Sequence, residues 1–191
     1  MPVSQIDVLL TVLEVFEKLG IRYAIGGSFA SSVHGIARAT MDVDLLAEIT
    51  SDQAERLAAE FGEAFYADDL AIKRAVASRR HFNLIHFDSL FKVDVFVSKG
   101  TEFEGVQLAR ASRALLKAES RQTGVVVSAE DIILAKLAWY RLGNEVSEQQ
   151  WRDVRGVIAV QADRLDLDYL RHWAAELKLG DLVDKALAST D

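Results

Sequence analysis

Three aspartates in this sequence could hold a metal ion together. Asp42 and Asp44 lie two apart in a segment with the pattern of a strand, Met41–Ile49. Residues two apart in a strand point to the same face, so these carboxylates project together and repel each other. A divalent cation between them would remove the repulsion, and carboxylate oxygens are ligands that Mg²⁺ prefers. Asp94 interrupts a second apolar strand, where an aspartate is costly without a metal or a partner. It becomes a third ligand if the two strands are neighbours.

A pair of glycines could bind a phosphate group. Gly26 and Gly27 follow a predicted strand, Ile21–Ile25, and precede a predicted helix, Ser28–His34. A glycine turn lets backbone N–H groups approach a phosphate, and the helix N-terminus adds partial positive charge. Carboxylates that hold one or two metal ions, facing an anion-binding turn, suit in-line displacement at phosphorus.

Each of these features also has an ordinary interpretation. A glycine pair alone is commonly just a turn, and a lone Asp-x-Asp is often two solvated residues at a strand edge. Their order along the chain, on these elements, favours a functional site. The histidines show no spacing typical of metal ligands, which argues against a zinc site. They are His34, His81, His86 and His172.

Composition limits the classes of protein that remain. The chain has 191 residues, is 50% hydrophobic and carries a formal net charge of -7. It is therefore one domain or two small ones with a sizeable core, and its acidity disfavours broad coating of nucleic acid. The absence of cysteine excludes a disulfide scaffold, a thiol nucleophile and a zinc ribbon. We find no leader-like segment and no apolar run near the ~18 residues of a membrane span, so we expect a cytoplasmic protein without a membrane partner.

Apolar spacing predicts two regions with different architecture. Residues 1–127 are expected to form a mixed α/β core, and residues 128–191 a helical subdomain packed on it. The segment 98–123 is ambiguous, with a short helix or strand near Gln107–Leu116. The predicted strands are Ile21–Ile25, Met41–Ile49, His81–Phe87, Phe91–Val97 and Gly124–Val127, the third and fourth forming a hairpin. The predicted helices are Ile6–Leu19, Ser28–His34, Ser51–Phe61, Asp69–Arg80, Ala129–Leu142, Ser147–Ala162, Leu167–Leu177 and Asp181–Leu187.

These motifs resemble the DNA polymerase β-like nucleotidyltransferase superfamily. The likeness is greatest to its minimal bacterial branch, which contains the AbiEii-type (type IV toxin–antitoxin) abortive-infection toxins. It extends from about Tyr23 to Val157. The residues that carry it are Gly26-Gly27-Ser28, His34-Gly35, Arg38, Thr40, Asp42-x-Asp44, Val93-Asp94-Val95, Glu130–Leu137 and Gln150–Val154.

The resemblance implies an α+β fold, with a mixed β-sheet flanked by helices and followed by a C-terminal helical bundle. It also implies metal-dependent transfer of a nucleoside monophosphate from a nucleoside triphosphate to an acceptor hydroxyl. Asp42 and Asp44 would bind Mg²⁺, with Mn²⁺ as the alternative, and Asp94 would complete the metal site and help activate the acceptor. The implied nucleotide-binding residues are Gly26, Gly27, Ser28, Arg38, Thr40, Lys136 and Asp153, with Ser28 on the β/γ-phosphates and Arg38 and Lys136 neutralising phosphate charge.

One departure and several alternatives accompany this interpretation. Many relatives carry a further acidic residue after the Arg-Asp pair, where this chain has Val154-Arg155-Gly156, which leaves the role of that acid open. Lys136 could equally be a surface lysine, and Asp153 an ordinary ion-pair partner. The acceptor could be transfer RNA, a protein or a small molecule, the first two being favoured. A cognate antitoxin is an expected partner, and a catalytically inactive toxin–antitoxin binding protein is the alternative function.

A basic run could steer a polynucleotide acceptor. It consists of Lys73, Arg74, Arg79 and Arg80. Clustered cations attract the phosphate backbone of nucleic acids. A solvated helix face is the commoner interpretation of such a run.

Overall fold

The structure is a computed structural model that describes residues 4–189. The chain divides into a sheet unit, which comprises the residues up to Ile25 and Thr40–Val126, and a helical unit, which comprises Gly26–Ala39 and the residues from Val127 onward. The segment Gly26–Ala39, which the sequence assigns to the α/β core, is thus grouped with the C-terminal helices. The division into 1–127 and 128–191 stays a prediction, and its outer limits lie outside the described residues.

Strands and helices are numbered in chain order. The strands are β1 (Arg22–Ile25), β2 (Asp42–Glu48), β3 (Phe65–Tyr66), β4 (His81–His86), β5 (Lys92–Val97), β6 (Ser112–Lys117) and β7 (Gln122–Val126). The helices are α1 (Gln5–Lys18), α2 (Gly27–His34), α3 (Ser51–Phe61), α4 (Asp69–Ser78), α5 (Glu102–Arg110), α6 (Ala129–Leu142), α7 (Glu148–Gln161), α8 (Leu167–Glu176) and α9 (Gly180–Ala188). Helices α1, α3, α4 and α5 belong to the sheet unit, and the others to the helical unit.

The strands form one mixed sheet in the order β3-β4-β5-β2-β1-β7-β6. Strand β2 is central, antiparallel to β1 and parallel to β5. Strands β4 and β5 form the predicted antiparallel hairpin. The predicted α+β class, with a mixed sheet, helices and a helical C-terminal region, is confirmed.

Apolar periodicity explains how the sheet unit buries its core. On α1, Leu9, Val12 and Phe16 recur at helical spacing and are fully buried. The helix starts at a capping box in which Ser4 and Asp7 satisfy each other's backbone N–H groups. On β2, buried and half-exposed residues alternate, as expected for a strand with one face on the core.

The structure differs from the sequence-based expectation mainly between β3 and β7. The two-residue strand β3 was not expected. The ambiguous segment near 107–116 contains both elements, the end of α5 and most of β6, and β7 begins at Gln122, two residues before the predicted start. Strand β6 gave a weak signal because none of its residues is buried.

The helical unit depends on a close approach between α2 and α7. Gly35 follows α2, and a Cβ atom on it would lie 2.8 Å from the backbone nitrogen of Val157 and 2.9 Å from the carbonyl carbon of Gly156. Both neighbours are backbone atoms, which cannot move aside without shifting α7. Glycine is therefore required where the two helices meet.

The helices of residues 4–189 differ from membrane spans in length or hydropathy. None of them is both long enough and apolar enough to cross a bilayer.

We expect Gly35→Ala to destabilise the protein by about 1–3 kcal/mol, because the added methyl group overpacks the contact with α7. Gly105→Ala is the matched control, since Gly105 lies inside α5 with open space where its Cβ would be. That change should stabilise by up to about 1 kcal/mol through helix propensity. Urea denaturation of both variants measures the change in the free energy of unfolding. An unchanged value for Gly35→Ala would contradict the required close approach.

Candidate active site

The ladder between β2 and β5 brings the three predicted carboxylates onto one face of the sheet. Asp44 is the direct partner of Asp94, and Asp42 is the partner of Lys92. Partners in a parallel ladder point to the same side, as do residues two apart on one strand. The opposite face of the same strands is apolar and buried. It consists of Val43, Leu45, Ala47, Val93, Val95 and Val97.

A lysine completes this acidic face. The Nζ atom of Lys92 lies 2.6 Å from Oδ2 of Asp94, whose side chain is 13% exposed. The hydrogen bond to Asp94 raises the pKa of Lys92 against the opposing effect of burial, and the charges of Asp94, Asp42 and Asp44 raise it further. The ammonium group therefore offsets part of the repulsion among the carboxylates.

Thr40 fixes the start of β2. Its Oγ1 atom donates to the backbone oxygen of Asp42 at 2.7 Å and lies 3.3 Å from Oδ1 of the same residue. Thr40, expected among the nucleotide-binding residues, thus contacts a predicted metal ligand in this structure. The contact holds Asp42 in place at the first position of β2.

The donor set of the acidic face suits Mg²⁺ in type, since it consists of hard carboxylate oxygens on one face of two paired strands. The side chains are not gathered around a common cation position. Within residues 4–189, no three or more His, Asp or Glu side chains are grouped so that they could hold a metal ion. Side-chain rotation on fixed strands would be needed to bring Asp42, Asp44 and Asp94 onto one ion.

In the helical unit, two glycines form the N-terminus of α2. Gly26 is at the N-cap position, where it offers no side-chain cap to the first N–H groups. Gly27 has φ +56°, a left-handed conformation that glycine adopts without strain. The N-terminus of α2 therefore has the character of an anion-binding turn.

Arg38 joins this turn to α7. Its Nη2 atom donates to Ser28 Oγ at 2.6 Å and to Asp153 Oδ2 at 3.0 Å, while Nε donates to Asp153 Oδ1 at 3.0 Å. Lys136 of α6 lies with Nζ 2.7 Å from the same Asp153 Oδ2. Four predicted nucleotide-binding residues are thus connected in one network.

Asp153 is the centre of that network. The side chains of Asp153 and Lys136 are 7% and 6% exposed, so Lys136 is buried and ion-paired rather than a surface lysine. Burial alone would raise the pKa of Asp153, but hydrogen bonds and charges from Arg38 and Lys136 outweigh it and lower that pKa. The two cations exceed the one carboxylate, which leaves a net positive charge beside the turn.

Sequence reasoning missed the role of Lys92. Its position two residues before Asp94, on the same face of a strand, is the signal that could have identified it.

In the basic run, Lys73 forms an ion pair with Asp69 at 2.8 Å, and Arg79 donates to the carbonyl oxygen of Lys99. His34 lies with Nε2 2.6 Å from the carbonyl oxygen of Val127.

Comparison with known proteins identifies the fold. No protein-family model and no curated protein matches this sequence. Among solved structures, the antibiotic-resistance factor ANT(2'')-Ia is 13% identical, with a TM-score of 0.61 over 97% of this chain and 98% of that one. An antigenic nucleotidyltransferase-like protein from Paracoccidioides brasiliensis is 17% identical, with a TM-score of 0.54 over 96% and 92%. The lincosamide antibiotic adenylyltransferase LnuA is 12% identical, with a TM-score of 0.52 over 80% and 95%. The chain therefore has the same fold as these solved structures.

We expect Asp153→Asn to destabilise the protein by about 3 kcal/mol at pH 7, because it leaves Lys136 buried without its counter-charge. The folded-state pKa of Asp153 lies below the ordinary 3.8. Its stabilising effect is therefore fully present above that value and is lost as the pH falls through the lowered pKa. Denaturation curves at pH 7 and at successively lower pH below 3.8 should show the difference in stability between the two proteins shrinking in acid.

The control is Asp181→Asn. Asp181 also pairs with an arginine, Arg141, at 2.7 Å, but its side chain is 71% exposed. Exposed ion pairs contribute little to stability, so Asp181→Asn should lower the free energy of unfolding much less than Asp153→Asn does. Equal effects of the two substitutions would show that the Asp153 network is an ordinary surface ion pair.

Proposed function

We propose that this protein is a metal-dependent nucleotidyltransferase, which transfers a nucleoside monophosphate from a nucleoside triphosphate to an acceptor hydroxyl and releases pyrophosphate. The observation that carries the proposal is the register of β2 and β5, which sets Asp44 beside Asp94 with Asp42 on the same face. The shared fold supports it, since the solved structures of that fold include nucleotidyltransferases. The resemblance to the AbiEii-type branch stays a prediction within this class.

The acidic face is assigned to the metal and the acceptor. Asp42, Asp44 and Asp94 would hold Mg²⁺ or Mn²⁺, which stabilises charge on the attacking and leaving oxygens when bound. Asp94, as the most buried of the three, takes up the proton of the acceptor hydroxyl at a carboxylate oxygen. Thr40 positions Asp42 through its hydrogen bond to that residue's backbone oxygen.

The helical unit is assigned to the triphosphate. Backbone N–H groups at Gly27 and the Ser28 hydroxyl bind phosphate oxygens. Arg38 and Lys136 supply the positive charge, and Asp153 holds both cations in place. Because Arg38 donates to Ser28 Oγ, binding of a phosphate at Ser28 also brings it within reach of the guanidinium group.

The acceptor is proposed only as a hydroxyl. The resemblance favours transfer RNA or a protein, and the basic run, which begins on α4 and continues past its end at Ser78, would suit a polynucleotide. Against this, related folds were solved with adenylyl-2''-tobramycin and with lincomycin, which supports a small molecule. Parallel assays with the three acceptor classes distinguish these alternatives.

We expect Asp94→Asn to reduce nucleotidyl transfer by about 10²–10⁴-fold, because the group that accepts the hydroxyl proton is lost. Asp44→Asn should reduce transfer through loss of metal binding. Incubation with α-³²P-labelled nucleoside triphosphates and Mg²⁺, with transfer RNA, total protein or aminoglycosides as acceptors, measures both.

Glu48→Gln is the matched control. Glu48 lies on β2 with the same alternation as Asp42 and Asp44, but at the far end of the strand, where it contacts Arg22. Transfer by this variant should equal that of the wild type. If the wild type neither binds nucleoside triphosphate with Mg²⁺ nor labels any acceptor, the proposed activity is wrong.

A second candidate is a catalytically inactive protein of the same fold that acts as a partner in a toxin–antitoxin pair. The ion pair between Lys92 and Asp94 favours it, because it engages a carboxylate that the reaction needs. Co-purification of a tight partner, with a growth phenotype unchanged by Asp42→Ala and Asp44→Ala, would support this candidate. Growth arrest that Asp44→Ala abolishes would exclude it.

A further inference from the structure

Lys92 lies on the face of the sheet that would bind the metal ion. It is the ladder partner of Asp42, and it precedes Asp94 by two residues on the same strand. Both relations put it on the face that carries the three carboxylates. The face therefore holds one ammonium group among three acids.

The ammonium group is engaged with the same atoms that would bind a cation. Its Nζ atom lies 2.6 Å from Asp94 Oδ2. An ammonium group and a divalent cation cannot share one carboxylate oxygen at such a distance without strong repulsion. Lys92 therefore competes with a metal ion for Oδ2 of Asp94.

The side chain of Lys92 is able to leave. It is 38% exposed, whereas that of Asp94 is 13% exposed. A lysine stem has several rotatable bonds, so its head group can swing into solvent while the strand stays in place. The carboxylate, on the shorter and more buried side chain, remains in position.

We propose that Lys92 is an exchangeable counter-cation, which neutralises the acidic face without metal and is displaced from Asp94 when a divalent cation binds. The inference rests on the proposed function, because it takes Asp42, Asp44 and Asp94 as the metal ligands. It adds that Lys92 weakens the binding of a metal ion and, in the absence of metal, stabilises the sheet.

Titration with Mn²⁺ alone, followed by calorimetry at low ionic strength on EDTA-treated protein, tests the proposal. Lys92→Met should bind Mn²⁺ about tenfold more tightly than the wild type, because a competing positive charge is removed. The same variant should melt at a lower temperature without metal and gain more from added Mn²⁺. Lys92→Arg keeps the charge and should retain the wild-type affinity.

Lys18→Met is the matched control. Lys18 also forms a short ion pair, 2.5 Å from Glu60 Oε2, in the same unit. Its removal should leave Mn²⁺ affinity unchanged. If Lys92→Met fails to fold, ¹⁵N-lysine NMR of the wild type gives the same answer, since Mg²⁺ should shift the Lys92 ammonium signal and leave that of Lys18 unchanged.

The outcomes separate this inference from the proposed function. Metal binding of equal strength by the wild type and Lys92→Met, or an unmoved ammonium signal on saturation with Mg²⁺, overturns the role of Lys92 and leaves the metal site intact. Weaker Mn²⁺ binding by Lys92→Met also overturns it. Absence of metal binding in both proteins overturns the metal site and the inference together.

Discussion

The pairing of β2 with β5 is the constraint on which the acidic face depends. A slip of one residue would turn the carboxylates toward the core and the valines toward solvent. Val43, Leu45, Val93 and Val95 are each at most 1% exposed. Burial of such side chains contributes about 1.5–3 kcal/mol apiece. Packing on the apolar face thus fixes the geometry of the polar one.

The two units treat charge in opposite ways. In the sheet unit three carboxylates share one face with Lys92, which pairs with Asp94, whereas in the helical unit Arg38 and Lys136 share Asp153. In each unit a side chain of opposite charge offsets part of the repulsion between like charges. A metal suits the first arrangement and an anion the second. The proposed roles, metal binding by the sheet unit and triphosphate binding by the helical unit, follow from the sign of the excess charge in each unit.

The sequence predicted the elements whose signal is local. The spacing of Leu9, Val12 and Phe16 was sufficient for α1, and the alternation around Asp42 and Asp44 was sufficient for β2. Partners distant in sequence were harder to predict. Lys136 was open to a surface interpretation, because its counter-ion Asp153 lies more than four turns away along the chain and on another helix. Strand β6 was ambiguous since an exposed strand lacks the burial that produces alternation.

The position of β2 and β5 inside the sheet has a consequence for hydrogen exchange. Both strands have a paired neighbour on each side, whereas β3 and β6 are edges. The amide protons that flank Asp44 and Asp94 are therefore expected to exchange only in larger openings of the sheet, long after the edge strands have exchanged. The carboxylates are anchored on interior strands, so we expect adaptation to a ligand there to be confined to side-chain torsions. Because the strands are fixed, the site should bind ligands whose coordination distances match the spacing of the carboxylates better than ligands that require the strands to move apart.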